Sequence, residues 1–368
     1  MNILIVTLPN DIHSLTVAKV LSGWGHQVMC MSWSDFPQLL SLSYVLKDGR
    51  DQLLLRHAGL NLEWATLDVV WNHRFLDAVP PAEIAAPDRK PIELSAKILH
   101  QGLLQVMAQH AFLVNSFTAK QLFDNKLFQL RTLADCGFTV PATLISNDRS
   151  EISAFIRQQH GCVVKPLKFM KWDCGEYNAT LYTTVIDDIS QFHALSISAC
   201  PMIYQEKIHK LHELRVVVFG RQITTFRIDS QQAAASAVDW RVPSYTELRV
   251  VVTETPDDIR RQIDRFMSHT GFCYGSFDFA VTPEGRYVCF EFNETGQFLW
   301  LEQLCPEVPL LDMFCRFLQS RDPQFLYQQS DDAVRYAAVH QQVVATKIPW
   351  QQQHVEVSFD KRFKEHLA

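Results

Sequence analysis

The chain opens with an apolar run, Asn2 to Thr7, of strand length; Ser14 to Leu21 carries helical spacing, and Gly23 and Gly25 stop that helix before a second strand, Gln27 to Met31. This is a βαβ opening. The glycines of Gly23-Trp24-Gly25-His26-Gln27-Val28 fall at a helix end and lack the third glycine of a dinucleotide fingerprint, so helix termination accounts for them. A third strand over Leu67 to Trp71 and a helix around Leu94 to His110 complete a small α/β unit, with Pro80, Pro81, Pro87 and Pro91 marking loop between them.

From Leu113 the pattern changes. A short strand at Leu113-Val114 precedes a helical stretch, Ala119 to Asp135, that ends at Cys136-Gly137 before a turn at Pro141 and another strand. Strands then dominate: Cys162 to Lys165, Thr180 to Val185, Met202 to Glu206, Leu214 to Phe219, Gln222 to Ile228, Ser276 to Val281 and Tyr287 to Glu291. Helices are expected at Asp257 to His269 and Leu310 to Gln319. The patch Gln231 to Ala237 reads as a loop or a helix start, and the tail from Ser320 to Ala368 is rich in Gln and Asp with no clear chemistry.

Composition narrows the class. With 368 residues, 47% apolar and 11% aromatic, the chain can bury a core spread over two to three structural units. A formal charge of −6, from 34 basic and 40 acidic residues, gives no global attraction to nucleic acid or anionic membrane, so any anion site must be local. Apolar runs such as Met1 to Leu8 fall far short of the roughly 20 residues of a membrane helix, and Met1-Asn2 lacks the basic flank of a signal peptide; a cytoplasmic protein is expected. The nine cysteines form no CxxC pair and sit mostly in apolar contexts, as buried thiols do.

One constellation points to a cation. Asp278 lies on one strand of a hairpin turning at Glu284-Gly285, and Glu291 and Asn293, two residues apart, share a face of the next strand. These three oxygen donors suit Mg²⁺, which takes one or two carboxylates and leaves substrate phosphates and water to complete its octahedron. Read otherwise, they are polar residues on the wet face of an ordinary hairpin. The flanking Phe277, Phe279, Phe290 and Phe292 imply burial, where unpaired carboxylates are costly, and so favour the cation. A basic set accompanies it: Lys126, Lys165, Arg215, Arg227 and Arg241. Singly each reads as a solvated charge, but Lys165 and Arg215 sit at the margins of apolar strands, where a cation needs an anion such as phosphate. His209-Lys210-Leu211-His212-Glu213 lies between strands rather than on a helix and is set aside as a zinc motif, and Trp300, Leu301, Phe314 and Phe317 read as packing.

Several segments together resemble the ATP-grasp ligases that cyclise microviridins and other graspetides. They are Val114-Asn115-Ser116, Asn125-Lys126-Leu127-Phe128-Gln129-Leu130, Gly137 to Leu144, Val164-Lys165-Pro166-Leu167, Tyr204-Gln205-Glu206, Glu213-Leu214-Arg215-Val216, Asp239-Trp240-Arg241 and Glu291 to Glu302, in that order. The likeness spans roughly Met1 to Gln319, including Asp11-Ile12-His13 and Ser34-Asp35-Phe36-Pro37. It departs at Trp71-Asn72-His73-Arg74-Phe75, with one arginine where these cyclases often pair two, and in a Lys168 to Asn178 loop with only Gly175.

The resemblance implies an α/β ATP-grasp fold: an N-terminal Rossmann-like (pre-ATP-grasp) βαβ domain over residues 1–112, a small central lobe over 113–200, a C-terminal lobe with the metal site over 201–320, and an extension over 321–368. The two lobes would clasp ATP. Lys126 and Lys165 would hold its phosphates, Gln205, Glu206, Lys207 and Ile208 would meet adenine, and Glu213 would lie near the ribose or support the site. Arg215 and Arg241 would neutralise the γ-phosphate or an acyl phosphate, Asp278, Glu291 and Asn293 would ligate two Mg²⁺ ions, and the Lys168 to Asn178 loop would close over the phosphates. The implied activity is ADP-forming ligation through an acyl phosphate, joining Asp or Glu side chains of a ribosomal precursor peptide to Lys, Ser or Thr. One alternative is a ligase acting on a free amino acid, small peptide or protein tail; another is a non-catalytic ATP- or peptide-binding module. The partner implied is the peptide, with no nucleic acid and no membrane; a homodimer is the self-assembly considered.

Overall fold

The computed structural model describes residues 1–57, 60–168, 171–173, 178–180, 183–232 and 248–355. Its N-terminal unit holds a parallel sheet in the order Gln27–Met31, Asn2–Val6, Val69–Asn72 and Phe112–Val114. The strand Asn2–Val6, apolar and buried from Ile3 onward, is an inner strand covered on both faces as parallel strands require. The crossover helix Ile12–Gly23 starts where the Asp11 side chain accepts from the His13 N–H, a standard N-cap. An antiparallel sheet of Leu40–Lys47, Arg50–His57 and Leu60–Glu63 adds to this unit. Its first turn is Asp48-Gly49, both at positive φ (52° and 73°), the conformation that lets a two-residue hairpin follow the strand twist.

A second sheet runs Thr184–Ile186, Cys162–Lys165, Met202–Glu206, Thr143–Ser146. The helix Arg149–Gln158 covers it, capped by Asp148, whose side chain accepts from Ser150 and Glu151 N–H. A third sheet is antiparallel and five-stranded: Val250–Thr253, Gln222–Ile228, His212–Phe219, Tyr274–Val281, Tyr287–Asn293. The helix Asp257–Thr270 buries Ile259, Ile263, Phe266 and Met267 on one face of it among Phe138, Phe277 and Phe292. The opposite face packs Val217, Phe219 and Phe226 against Phe298, Phe314 and Phe317 in a core that also takes in Ile3, Ile5 and Trp71. The third sheet therefore sits between two cores, which is why Tyr274–Val281 is buried throughout.

Three expectations need correction. The helix expected from Leu94 spans Ala86–Met107 and contains Pro87 and Pro91: Pro87, in the first turn, lacks only a donor that has no partner there, whereas Pro91 lies inside the helix and forgoes one backbone hydrogen bond. The helix expected over Ala119 to Asp135 is two helices, Phe117–Phe123 and Lys126–Asp135. Between them Asn125 caps the second by accepting from Leu127 and Phe128 N–H, so Lys126 is the first residue of that helix. The tail is not featureless. A helix, Tyr336–Gln351, packs on Ile12–Gly23 and is tied down at both ends. Glu302 accepts from Tyr336 N–H at one end (2.7 Å), and at the other Asp35 Oδ1 accepts from Val355 N–H (2.8 Å). Asp35 Oδ2 also lies 2.7 Å from His57 Nε2 and 2.6 Å from His354 Nδ1. These are hydrogen-bond lengths, and the three buried side chains act as a clasp.

Candidate active site

Asp278 and Glu291 are direct cross-strand partners, so their side chains leave the sheet on one face; Asn293, two residues on, joins them. A bulge makes the register work. Phe279 pairs with Cys289, which leaves Phe290 as the extra residue and returns Glu291 to the face of Asp278. The three expected metal ligands are thus together, with Asn293 Nδ2 donating to Glu291 Oε1 (3.2 Å). Phe277, Phe279 and Phe292 are buried as expected, whereas bulged Phe290 is half-buried.

Two expected phosphate-binding cations are paired with these carboxylates. Arg215, opposite Asp278 on the neighbouring strand, donates from NH1 to both Oδ1 and Oδ2 at 2.8 Å. Lys126, at the N-terminus of its helix, donates to Glu291 Oε2 at 2.7 Å. Arg215 Nε is buried and has no hydrogen-bond partner among the described residues. Gly296 lies against this pair: a Cβ there would collide with Ser276 and crowd Arg215 Nη2 at 3.0 Å, so a larger residue would displace the serine and press on the arginine.

The remaining expected residues are on other elements. Lys165 ends its strand opposite Ile203. Gln205 is buried and donates to Thr143 Oγ1 (2.8 Å), Glu206 lies 3.6 Å from Arg286, Lys207 is exposed, and Ile208 packs on Ala280, Val288 and Phe290 of the hairpin that carries Asp278 and Glu291. That contact and the hydrogen bond from Cys289 N–H to Thr139 O (2.8 Å) join the second sheet to the third. Glu213 is buried 2.8 Å from Lys210 Nζ; burial pushes its carboxyl above the ordinary range, while Lys210 and Ser230 pull the other way. Arg241, Asp239, Trp240 and Gly175 lie outside the described residues, as does most of the Lys168 to Asn178 loop.

Two amides that sequence reading quoted only within motifs hold the hairpin in place. Asn115 Oδ1 accepts from Cys273 and Tyr274 N–H (3.0 Å each), and its Nδ2 donates to Tyr274 O (2.8 Å) and Glu294 O (3.0 Å). The side chain takes the place of a strand beyond Asn293, where the ladder ends. Gln129 does likewise, accepting from Phe292 N–H (3.1 Å) and donating to Phe292 O (3.0 Å) and Phe123 O (3.1 Å). The only signal in the sequence was a carboxamide set among apolar residues.

Beside the hairpin opens a cavity of about 770 Å³, lined by Arg215, Asp278, Asn293, Gly296, Arg74 and Trp300 among others. Trp300, expected as packing, therefore borders the cavity, while Leu301, Phe314 and Phe317 are fully buried as expected. On the N-terminal side, Asp11 accepts from Thr7 Oγ1 (3.0 Å) and His13 N–H (2.9 Å), with His73 Nε2 3.1 Å away but off hydrogen-bond alignment. Burial raises its carboxyl, but the contact and charge of His73 outweigh that, with a net lowering. Burial, then the charge of His73, pushes His13 down to about 3, keeping it neutral.

The arrangement is an all-oxygen ligand set, paired to two cations, at the edge of a cavity and beside a second sheet. The fold is that of solved ATP-grasp ligases. The chain is similar to a RiPP-associated ATP-grasp ligase of Chryseobacterium gregarium, solved with ADP and a leader and core peptide: 26% identity over 88% of this chain and 99% of that one, with a TM-score of 0.80. It has the fold of the macrocyclase MdnC of Microcystis aeruginosa, solved with its precursor peptide MdnA (23% identity, 87% and 100% covered, TM-score 0.76). The same fold occurs in the ATP-grasp ligase PsnB, solved with a precursor variant, Mg and ADP (22% identity, 87% and 98% covered, TM-score 0.65). No protein-family model matches the chain, and no curated protein sequence does. Among the described residues no helix is long and apolar enough to cross a membrane.

Proposed function

We propose that the chain activates Asp or Glu side chains of a ribosomal precursor peptide at the expense of ATP and joins them to Lys, Ser or Thr as lactams or lactones. The observation that carries this reading is the Asp278, Glu291 and Asn293 set, held by Arg215 and Lys126, at the edge of a cavity of about 770 Å³. Two carboxylates and an amide oxygen fit a hard cation such as Mg²⁺ and offer nothing to a soft one. Similarity to ligases solved with ADP, with Mg and with leader or precursor peptides supports the choice of co-substrates.

Bound at this set, two Mg²⁺ ions would offset the charge that builds as the γ-phosphoryl group meets a second anion. The chain's own residues do the rest. Arg215 and Lys126 can exchange their carboxylate partners for phosphoryl oxygens, with Lys165 holding the phosphates from the facing sheet. The segment Gln205 to Ile208 frames adenine, and Glu213 supports it through Lys210. Arg241 is the proposed partner of the acyl phosphate. The parallel sheet at the N-terminus serves as the Rossmann-like pre-ATP-grasp domain, with the lobes dividing near residues 112, 200 and 320. Because this chemistry transfers the γ-phosphoryl group, turnover with an acidic peptide should yield ADP and phosphate, measured by nucleotide chromatography. Stoichiometric AMP would overturn the reading.

A further inference from the structure

The C-terminal helix Tyr336–Gln351 forms one wall of the cavity beside the metal-site hairpin. Tyr336, His340, Val343 and Lys347 fall four, seven and eleven residues along one helical stripe, and Tyr336, His340 and Lys347 all line the cavity. Val343, almost fully buried, anchors the stripe. The wall is fixed: Glu302 holds the first residue of the helix, and the Asp35 clasp holds the chain just beyond its last. This segment also lies past the point where the motif resemblance stops.

The wall brings unneutralised positive charge. Half-buried Lys347 has no ion-pair or hydrogen-bond partner among the described residues, and neither does the Arg74 side chain, which lines the same cavity. His340 Nδ1 and His13 Nε2 are buried nitrogens without hydrogen-bond partners. The nearby acids are already engaged, Asp278 by Arg215 and Asp11 by Thr7 and the His13 N–H. Two cations without hydrogen-bond or ion-pair partners among the described residues, Arg74 having only the longer-range attraction of Asp11, and two unmet imidazole nitrogens around one concavity are what a carboxylate-bearing ligand would satisfy.

We propose that the C-terminal helix supplies a carboxylate subsite, Lys347 and His340 facing Arg74, that receives an acidic side chain of the peptide substrate. This rests on the peptide-ligase reading and adds a specificity determinant to it. The test is fluorescence anisotropy with a labelled peptide of alternating Thr and Glu and its Thr/Gln counterpart. The wild-type protein should prefer the Glu peptide. Lys347→Glu should weaken that binding about tenfold and Lys347→Arg by no more than about twofold, as expected for a charge-assisted contact on a partly solvated wall. Thermal melting and ADP affinity should not change, since Lys347 has no partner to lose. Equal binding of the Glu and Gln peptides by wild type, or unchanged binding by Lys347→Glu, would overturn the subsite. ATP consumption, followed separately, distinguishes the two readings: Lys347-dependent binding without turnover would sink the ligase reading and leave the subsite standing.

Discussion

Replacing Asn115 by Ala tests whether side-chain amides, rather than strands, complete the hairpin that carries Asp278 and Glu291. The substitution removes four hydrogen bonds to backbone groups, Cys273 N–H, Tyr274 N–H, Tyr274 O and Glu294 O, and a weaker one from the Cys273 thiol, at a residue that is 2% exposed. Each such bond contributes roughly 1 kcal/mol net, but a buried backbone group left unmet costs about 1–3 kcal/mol. Water entering the small vacated space would satisfy part of the set, which puts the expected loss at about 3–5 kcal/mol. Asn115→Asp should cost at least as much, because an oxygen replaces the donor that faces two carbonyls. Urea unfolding of both variants measures this directly. A loss below about 1 kcal/mol in Asn115→Ala would show that the ladder past Asn293 does not depend on the amide.

Three other outcomes follow from the same geometry. Glu291→Gln should abolish ATP-dependent turnover while changing stability by no more than about 1 kcal/mol, because its ion pair with Lys126 is partly exposed; retained turnover at saturating Mg²⁺ would contradict the ligand assignment. Gly296→Ala should cost about 1–3 kcal/mol by overpacking and should impair turnover by displacing Arg215; an active, equally stable variant would remove the steric argument. Burial pushes Glu302 up to about 7 although Tyr336 and Leu311 N–H donate to it. A carboxyl raised above its ordinary value makes its contribution fully at low pH and loses it as pH climbs through the folded value. Unfolding free energy should therefore fall by up to roughly 3 kcal/mol between about pH 5 and pH 7.5 on account of this group. Glu302→Gln should flatten that window, and an unchanged pH slope would refute the assignment.

What was legible in the sequence follows how much of each element is decided locally. Met202–Glu206 and Gln222–Ile228 match the expected strands residue for residue, since sharp apolar runs with turn residues at both ends leave few alternatives. The convergence of Asp278 with Glu291 was only partly legible: strand period puts Glu291 and Asn293 on one face, but the bulge at Phe290 that brings them to the face of Asp278 has no periodic signature. The Leu40–Lys47 strand was missed although Leu40-Ser41-Leu42-Ser43-Tyr44 alternates and Asp48-Gly49 marks its turn; Val45-Leu46 break the alternation, and most of the strand is exposed, so no core fixes it. The C-terminal helix escaped notice because distant partners hold it, with Glu302 and Asp35 meeting its ends. Asn115 and Gln129 carry no periodic signature at all: their role depends on where an unrelated strand ends.

On the proposed function, a peptide carboxylate becomes an acyl phosphate at this site. An acidic precursor peptide with heavy-oxygen-labelled side-chain carboxylates, incubated with ATP and Mg²⁺, tests it most directly. Attack of the carboxylate on the γ-phosphoryl group carries one carboxylate oxygen onto phosphorus, so the released phosphate should carry one heavy oxygen for each bond formed, alongside ADP and a peptide lighter by one water. Unlabelled phosphate accompanying a dehydrated peptide would contradict the account.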